Sequence, residues 1–376
     1  MEMPPFAVEV WMDRYGKRSR FNLADTCVDC MTLDELLGLG GKEAREQLWN
    51  ALVYRKQIYG DSIGSPSLRS AIAKRYKGAS PGQVMVMNGA LSANALVMMT
   101  LLRPGDRVIA FHPTFQQLFE FPAMLGAKVD LLPLRPENDF EPDPDELRRM
   151  ITPETKLLVI NNPNNPTGTL YDREMLMQIS AIAREAGAFI LCDEVYFNLR
   201  PEDRETAPSI AEVYERGIAT SSLSKTLSLA GIRIGWMTAP SDVIAACKQN
   251  HFYMTISCGI LYDQIAVHAL THYDRLLERG RALLSRNVDL LRQWAANEPD
   301  IEFHPPQGGA AALLRLTNGR NTVAFCKKLL EQTGVLLTPG ACFGLDEGYM
   351  RVGCAGKTDV LQEGLAHLHW FLHHDA

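Results

Sequence analysis

Short runs of consecutive apolar residues alternate along this chain with longer stretches in which apolar positions recur every three or four residues. The runs Val84–Met87, Arg107–Ala110, Lys128–Leu132, Leu157–Asn161, Ala188–Cys192, Gly217–Ser221 and Arg233–Thr238 read as strands. Most are continuously apolar, as strands buried on both faces are. Helical periodicity fills Ala90–Leu102, Gln116–Leu125, Pro144–Met150 and Asp172–Ala186 between them, and Pro104-Gly105-Asp106 and Ala186-Gly187-Ala188 punctuate helix ends. Strand, helix, strand at this rhythm predicts an α/β fold, a mostly parallel seven-stranded sheet flanked by helices.

After about residue 285 the texture changes. A helix over Ala282–Glu298 leads to strand-like runs at Ile301–His304, Ala310–Leu316, Val335–Thr338 and Met350–Cys354, with helices at Thr322–Thr333 and Thr358–Leu372 between and after them. This predicts a smaller α+β domain from 286–376. Residues 1–45 have no clear sheet role and are expected to pack with it, which leaves 46–285 as the large domain.

Composition narrows the function classes. The 376 residues are 46% apolar and 22% charged, and 38 Lys+Arg against 44 Asp+Glu give a net charge of −6. That profile is globular, and the acidic balance disfavours nucleic acid as a partner. No apolar run reaches the roughly 18 residues of a membrane span, and the start has no basic region followed by an apolar core. The expectation is a cytoplasmic enzyme. Its eight cysteines then read as reduced thiols. Cys27-Val-Asp-Cys30 has metal or redox spacing but no second ligand pair, so no metal is expected there. His367, His369, His373 and His374 are expected on the solvated side of the last helix.

Ligands of open parallel sheets bind at the carboxyl ends of the strands. After the first predicted strand comes Asn88-Gly89-Ala90-Leu91, whose helix-start amides suit a phosphate. After the others come His112-Pro113-Thr114-Phe115, Asn162-Pro163-Asn164-Asn165-Pro166-Thr167-Gly168, Asp193-Glu194-Val195-Tyr196 and Ser222-Leu223-Ser224-Lys225, with Arg233 eight residues beyond the lysine. A buried carboxylate or ammonium is costly without a counterpart. One ligand class uses the whole set: a flat, phosphorylated pyridine aldehyde, whose carbonyl needs an amine and whose ring nitrogen needs a carboxylate.

With these motifs in this order, together with Tyr59-Gly60, Arg103-Pro104-Gly105-Asp106, Gly231-Ile232-Arg233-Ile234-Gly235 and Met350-Arg351-Val352-Gly353, the chain resembles the fold type I pyridoxal-phosphate enzymes of the class I/II aminotransferase group. The resemblance implies that Lys225 forms the Schiff base with pyridoxal 5'-phosphate, that Asp193 pairs with the pyridinium, that Asn165 and Tyr196 bond the ring hydroxyl oxygen and that Phe115 stacks on the ring. It implies a phosphate held by Ser222, Ser224, Arg233 and the backbone of Gly89, Ala90 and Leu91. Tyr59 would reach the phosphate of a neighbouring subunit, which implies a homodimer, and Arg351 would clamp the substrate α-carboxylate. Thr26 is placed near the substrate, with Trp11, Tyr253, Thr255 and Ser257 around it. The segment Asn22–Cys30 and the run Leu337–Gly344 resemble the branch containing capreomycidine synthase, which cyclises a modified arginine.

Two readings follow. One is an aminotransferase acting on an α-amino acid, with an amino acid and a keto acid as small-molecule partners. The other is a lyase or cyclase that makes or modifies a non-proteinogenic amino acid with the same residues, since the cofactor does the electronic work. A regulator with an aminotransferase-like domain would need an attached DNA-binding module, for which the first 45 residues are too few.

Overall fold

The computed structural model describes residues 3–202, 205–345 and 348–374. Its seven-stranded sheet has the order Val84–Met87, Gly235–Thr238, Gly217–Ser222, Phe189–Asp193, Thr155–Asn161, Arg107–His112, Lys128–Pro133. All neighbours are parallel except Gly235–Thr238, which runs antiparallel to the strands on both sides.

Period-two geometry explains the continuous apolar runs. Met85, Met87, Val108, Ala110, Leu157, Val159 and Leu191 face one layer, with Leu96 and Val97 of helix Ala90–Leu101 and Val243 and Cys247 of helix Ser241–His251. Their alternates Val84, Val86, Ile109, Phe111, Leu158, Ile160 and Ile190 face the other layer, with Leu176, Ile179 and Ile182 of helix Arg173–Ala186. Apart from the edge strand Lys128–Pro133, where Lys128 and Leu131 are exposed, neither face sees water, so neither carries polar alternation. Helix Arg173–Ala186 starts where the Asp172 side chain accepts from the Met175 N–H, and ends at Gly187 in the left-handed region, φ 67°.

A second sheet orders Thr338–Pro339, Tyr349–Gly353, Ala311–Leu316 and Ile301–His304, all antiparallel. Its core joins Leu314, Leu316, Met350 and Val352 to Leu284, Val288, Leu291, Leu365, Leu368 and Phe371, and to Trp11, Tyr15, Phe21 and Leu23 from the start of the chain.

Several elements differ from the sequence reading. The expected strand Val335–Thr338 is two pieces, with Leu337 left unpaired between them. Val335–Leu336 pairs in parallel with Phe21–Asn22, which gives the N-terminal segment a sheet role, and Thr338–Pro339 pairs with Tyr349–Gly353. The helix expected from Ala282 begins at Tyr273 and runs 23 residues to Ala295. His369 and His373 do not simply decorate a solvated face: both rings turn to the buried carboxylate of Glu298, at 2.5 and 3.1 Å. No described helix is long and apolar enough to cross a membrane.

Candidate active site

The parallel strands Thr155–Asn161, Phe189–Asp193 and Gly217–Ser222 end side by side. Asn161 pairs in register with Asp193, and Asp193 with Thr220. The strand expected to open at Arg233 begins instead at Gly235, and Arg233 precedes it with φ 57°. Because that strand is antiparallel, its start lies at the same mouth as its neighbours' carboxyl ends. This is what brings Arg233 to the site.

A cavity of about 400 Å³ occupies the mouth. Its walls include Thr26, Ala90, Leu91, Phe115, Asn165, Asp193, Tyr196, Ser222, Ser224, Lys225, Arg233 and Arg351, so the structure gathers nearly all of the expected residues. Gly89 adjoins it. A Cβ there would stand 2.7 Å from Arg233 Nη2, and its φ of 86° suits glycine. Tyr59 stands apart at 76% exposure, and neither Trp11, Tyr253, Thr255 nor Ser257 lines the cavity. Trp11 is core, donating its indole N–H to the Leu337 carbonyl. Helix Ala7–Tyr15 contributes Val8, Glu9 and Met12 to the cavity wall, which sequence reasoning missed.

Asp193 is buried, and burial raises its pKa, opposed by hydrogen bonds from the Asn94 amide and the Val195 N–H and by the charge of Lys225. Asn94 Nδ2 donates to Asp193 Oδ2 at 2.7 Å, and Thr220 Oγ1 donates to Asn94 Oδ1 at 2.6 Å. No described cation forms an ion pair with this carboxylate. The signal for Asn94 was present in the sequence as an asparagine inside the apolar helix Ala90–Leu101, where it is fully buried. Asn161 was missed too: its Oδ1 accepts from the Asn165 N–H and its Nδ2 donates to the Asp193 carbonyl.

Lys225 Nζ lies 3.3 Å from Cys27 Sγ and 3.5 Å from Thr26 Oγ1. Burial alone would lower its pKa, but Tyr196, Cys27 and Asp25 outweigh it and the net shift is upward. The buried Tyr196 hydroxyl approaches Thr26 without closing a well-aligned hydrogen bond. Arg351 is 4% exposed. Its Nη1 donates to Asn165 Oδ1 at 3.0 Å and its Nη2 to the Ala24 carbonyl at 2.8 Å, while Nε has no partner. Asp346 and Glu347, the carboxylates nearest to Arg351 in sequence, lie outside the described residues.

Arg233 Nη1 reaches Ser224 Oγ at 3.3 Å, beside the Ser222 hydroxyl that accepts from the Ser224 N–H. At Gly235 a Cβ would collide with the Gly89 backbone, so two glycines let the helix start press against the strand start. Pyridoxal phosphate fits this donor set. A guanidinium, two hydroxyls and helix-start amides form an anion cradle. The buried carboxylate without a counterion suits a pyridinium, and the under-bonded Tyr196 hydroxyl suits a ring oxygen.

The family model described as aminotransferase class I and II matches residues 44–368. Capreomycidine synthase from Streptomyces vinaceus is 30% identical over 97% of this chain and 92% of its own length, and an aspartate aminotransferase from Pyrococcus horikoshii is 32% identical over 86% of this chain and 85% of its own. A crystal structure of a PLP-dependent aminotransferase from Streptococcus suis superposes with a TM-score of 0.95 at 40% identity, covering 99% of this chain and 98% of that one. The motifs at the strand ends, the cavity they enclose and these likenesses agree: the chain belongs to the class I and II aminotransferase family of fold type I pyridoxal-phosphate enzymes.

Proposed function

We propose that this protein is a cytoplasmic, homodimeric aminotransferase that exchanges the amino group between an α-amino acid and a keto acid. The observation that carries the reading is one cavity holding Lys225, Asp193 and Arg351, an amine, a buried carboxylate and a buried guanidinium, each placed for a different part of the chemistry. Eight unpaired thiols support a reducing compartment. Exposed Ile58 and Tyr59 lie next to Gly60, which packs by the Cys258 carbonyl near exposed Tyr253, Met254 and Ile256, and this apolar surface supports a second copy.

When bound, the cofactor supplies an aldehyde that condenses with an amine and a ring that takes up the electrons released at the substrate Cα. Asp193, oriented by Asn94 and the Val195 N–H, keeps a proton on the ring nitrogen. Asn165 and Tyr196 would hold the ring oxygen, and Phe115 would cover the ring. Arg233, Ser222, Ser224 and the amides following Gly89 hold the phosphate. Arg351 binds the α-carboxylate and so sets the Cα–H bond toward Lys225, with Thr26 close by. Lys225 Nζ would then take that proton from Cα and deliver it to the carbon that came from the cofactor aldehyde.

A second reading, a lyase or cyclase acting on a non-proteinogenic amino acid, is favoured by a specific observation. The likeness to capreomycidine synthase extends over 97% of this chain, whereas that to the aspartate aminotransferase spans 86%. The N-terminal residues Val8, Glu9, Met12, Thr26 and Cys27 line the cavity. Incubating the holoenzyme with an amino-acid panel and pyruvate or 2-oxoglutarate separates the two. Keto-acid formation matched by amino transfer supports the aminotransferase; release of ammonia or a cyclic product supports the alternative.

A further inference from the structure

We propose that Cys27 and Cys30 are a redox-reactive dithiol at the mouth of the Lys225 cavity, oxidised by a peroxide to an intramolecular disulfide. The Cys-x-x-Cys spacing has no part in the chemistry above, and the fold gives it a defined geometry. Val28 is fully buried between the two cysteines, and the loop is tied down on each side of it. Asp29 N–H donates to the Ala355 carbonyl at 2.8 Å, Met31 N–H to the Ser228 carbonyl at 3.1 Å, and Arg279 bonds both the Asp29 carbonyl and its carboxylate. Cys27 lies half-buried on the cavity wall, 3.3 Å from Lys225 Nζ, while Cys30 is exposed. Only two residues separate them, and each thiol is the largest influence on the other's titration.

The two differ in reactivity. Cys27 is pushed up by its contact with Cys30 and by burial. Cys30 is brought down to about 6 by that same contact, with help from the Ala230 N–H and against its own partial burial and the charges of Asp25 and Asp29. Every other cysteine moves the opposite way, by burial: Cys247 and Cys342 to about 11, Cys258 to about 12, and Cys192, Cys326 and Cys354 upward as well. A thiolate exposed beside a protonated partner is the arrangement of an attacking and a resolving cysteine. The Cys30 thiolate displaces hydroxide from hydrogen peroxide and becomes a sulfenic acid. The Cys27 sulfur then attacks it, the S–O bond breaks, and water leaves with the Cys27 proton. Two thiols lose two electrons and two protons, and the peroxide is reduced to two waters. Dithiothreitol reverses the bond by exchange.

The test treats the holoenzyme at neutral pH with hydrogen peroxide, denatures it in iodoacetamide and maps the tryptic peptide Phe21–Lys42, which carries both cysteines. The expected result is loss of both alkyl labels together, their return after dithiothreitol, and a rate more than about a hundredfold above that of label loss at half-buried Cys342. Cys30→Ser keeps the label on Cys27, and Cys342→Ser changes nothing at the pair. Retention of both labels, a disulfide between chains, or equally fast loss at Cys342 would overturn the proposal.

Discussion

The Asn94 amide stands 2.7 Å from the Asp193 carboxylate and is itself fixed by Thr220 at 2.6 Å, so a residue from the first helix of the large sheet orients a carboxylate from a strand 99 positions away. A hydrogen bond to a charged group contributes about 1.5–3 kcal/mol. Asn94→Ala is therefore expected to lower kcat roughly 10- to 100-fold. Asp193→Ala falls further, because it removes the charge rather than its orientation. Steady-state rates of the two variants, both still carrying cofactor, check the order; equal losses would mean that Asn94 acts through stability of the fold.

Under the proposed function, Lys225 is the residue expected to carry the covalent bond to the cofactor. Borohydride reduction of the holoenzyme followed by peptide mapping is expected to find the pyridoxyl group on Lys225, and a label on another lysine would refute the assignment. Lys225→Ala loses the proton-transfer step while the protein still folds, as circular dichroism can verify. Thr26 and Cys27, the side chains within 3.5 Å of its amine, do not replace it as a base at neutral pH.

Glu194 follows Asp193 in the chain and has another task. It is 2% exposed, accepting from Ser209 Oγ at 3.1 Å and the Ile210 N–H at 2.8 Å. Burial outweighs those bonds and raises its carboxyl to about 8. The folded protein therefore holds a proton that the unfolded chain releases near pH 4.5, and this contribution to stability is complete at lower pH. It declines as pH rises through the window up to about 8 and is level above it. The change is on the order of a few kcal/mol. Denaturant melts between pH 5 and 9 should give a steeper fall for wild type than for Glu194→Gln. Parallel curves would place the titration elsewhere.

The sheet was legible because its inner strands are buried on both faces, so a run such as Leu157, Leu158, Val159 and Ile160 leaves no polar gap. Asp193, Ser222 and Lys225 were legible because polar residues at the ends of such runs have one mouth to face. Other parts depend on pairing that periodicity does not encode. Arg233 reaches Ser224 only because the following strand reverses direction. Asn94 stands out as an amide in an apolar helix, but nothing in its own neighbourhood names the Asp193 carboxylate as its partner. Helix Ala7–Tyr15 looks like any short amphipathic helix. Its place over the cavity comes from distant contacts, the Phe6 ring 5.0 Å from Phe115 and the Ala7 N–H on Gln116 Oε1.

Arg351 bears on how the substrate is held. A surface arginine paired with a carboxylate would contribute little. This one is buried, held by Asn165 and by the Ala24 carbonyl, and stacked 4.9 Å from the Phe343 ring, with burial lowering its pKa. Such bracing fixes the plane of the guanidinium, whose buried Nε has no partner. Arg351→Lys keeps a charge but loses the planar fork, and a point-like ammonium on a different stem cannot reproduce the spread of donors that reaches Asn165, Ala24 and substrate. Binding common to the ground and transition states is lost, and so is alignment of the Cα–H bond with Lys225. KM is expected to rise roughly tenfold or more and kcat to fall as well. Both constants are measured with whichever amino acid the panel identifies. Near-wild-type values would show that the α-carboxylate is bound elsewhere in the cavity, and Arg351 would then be a structural link between Asn165 and the N-terminal segment.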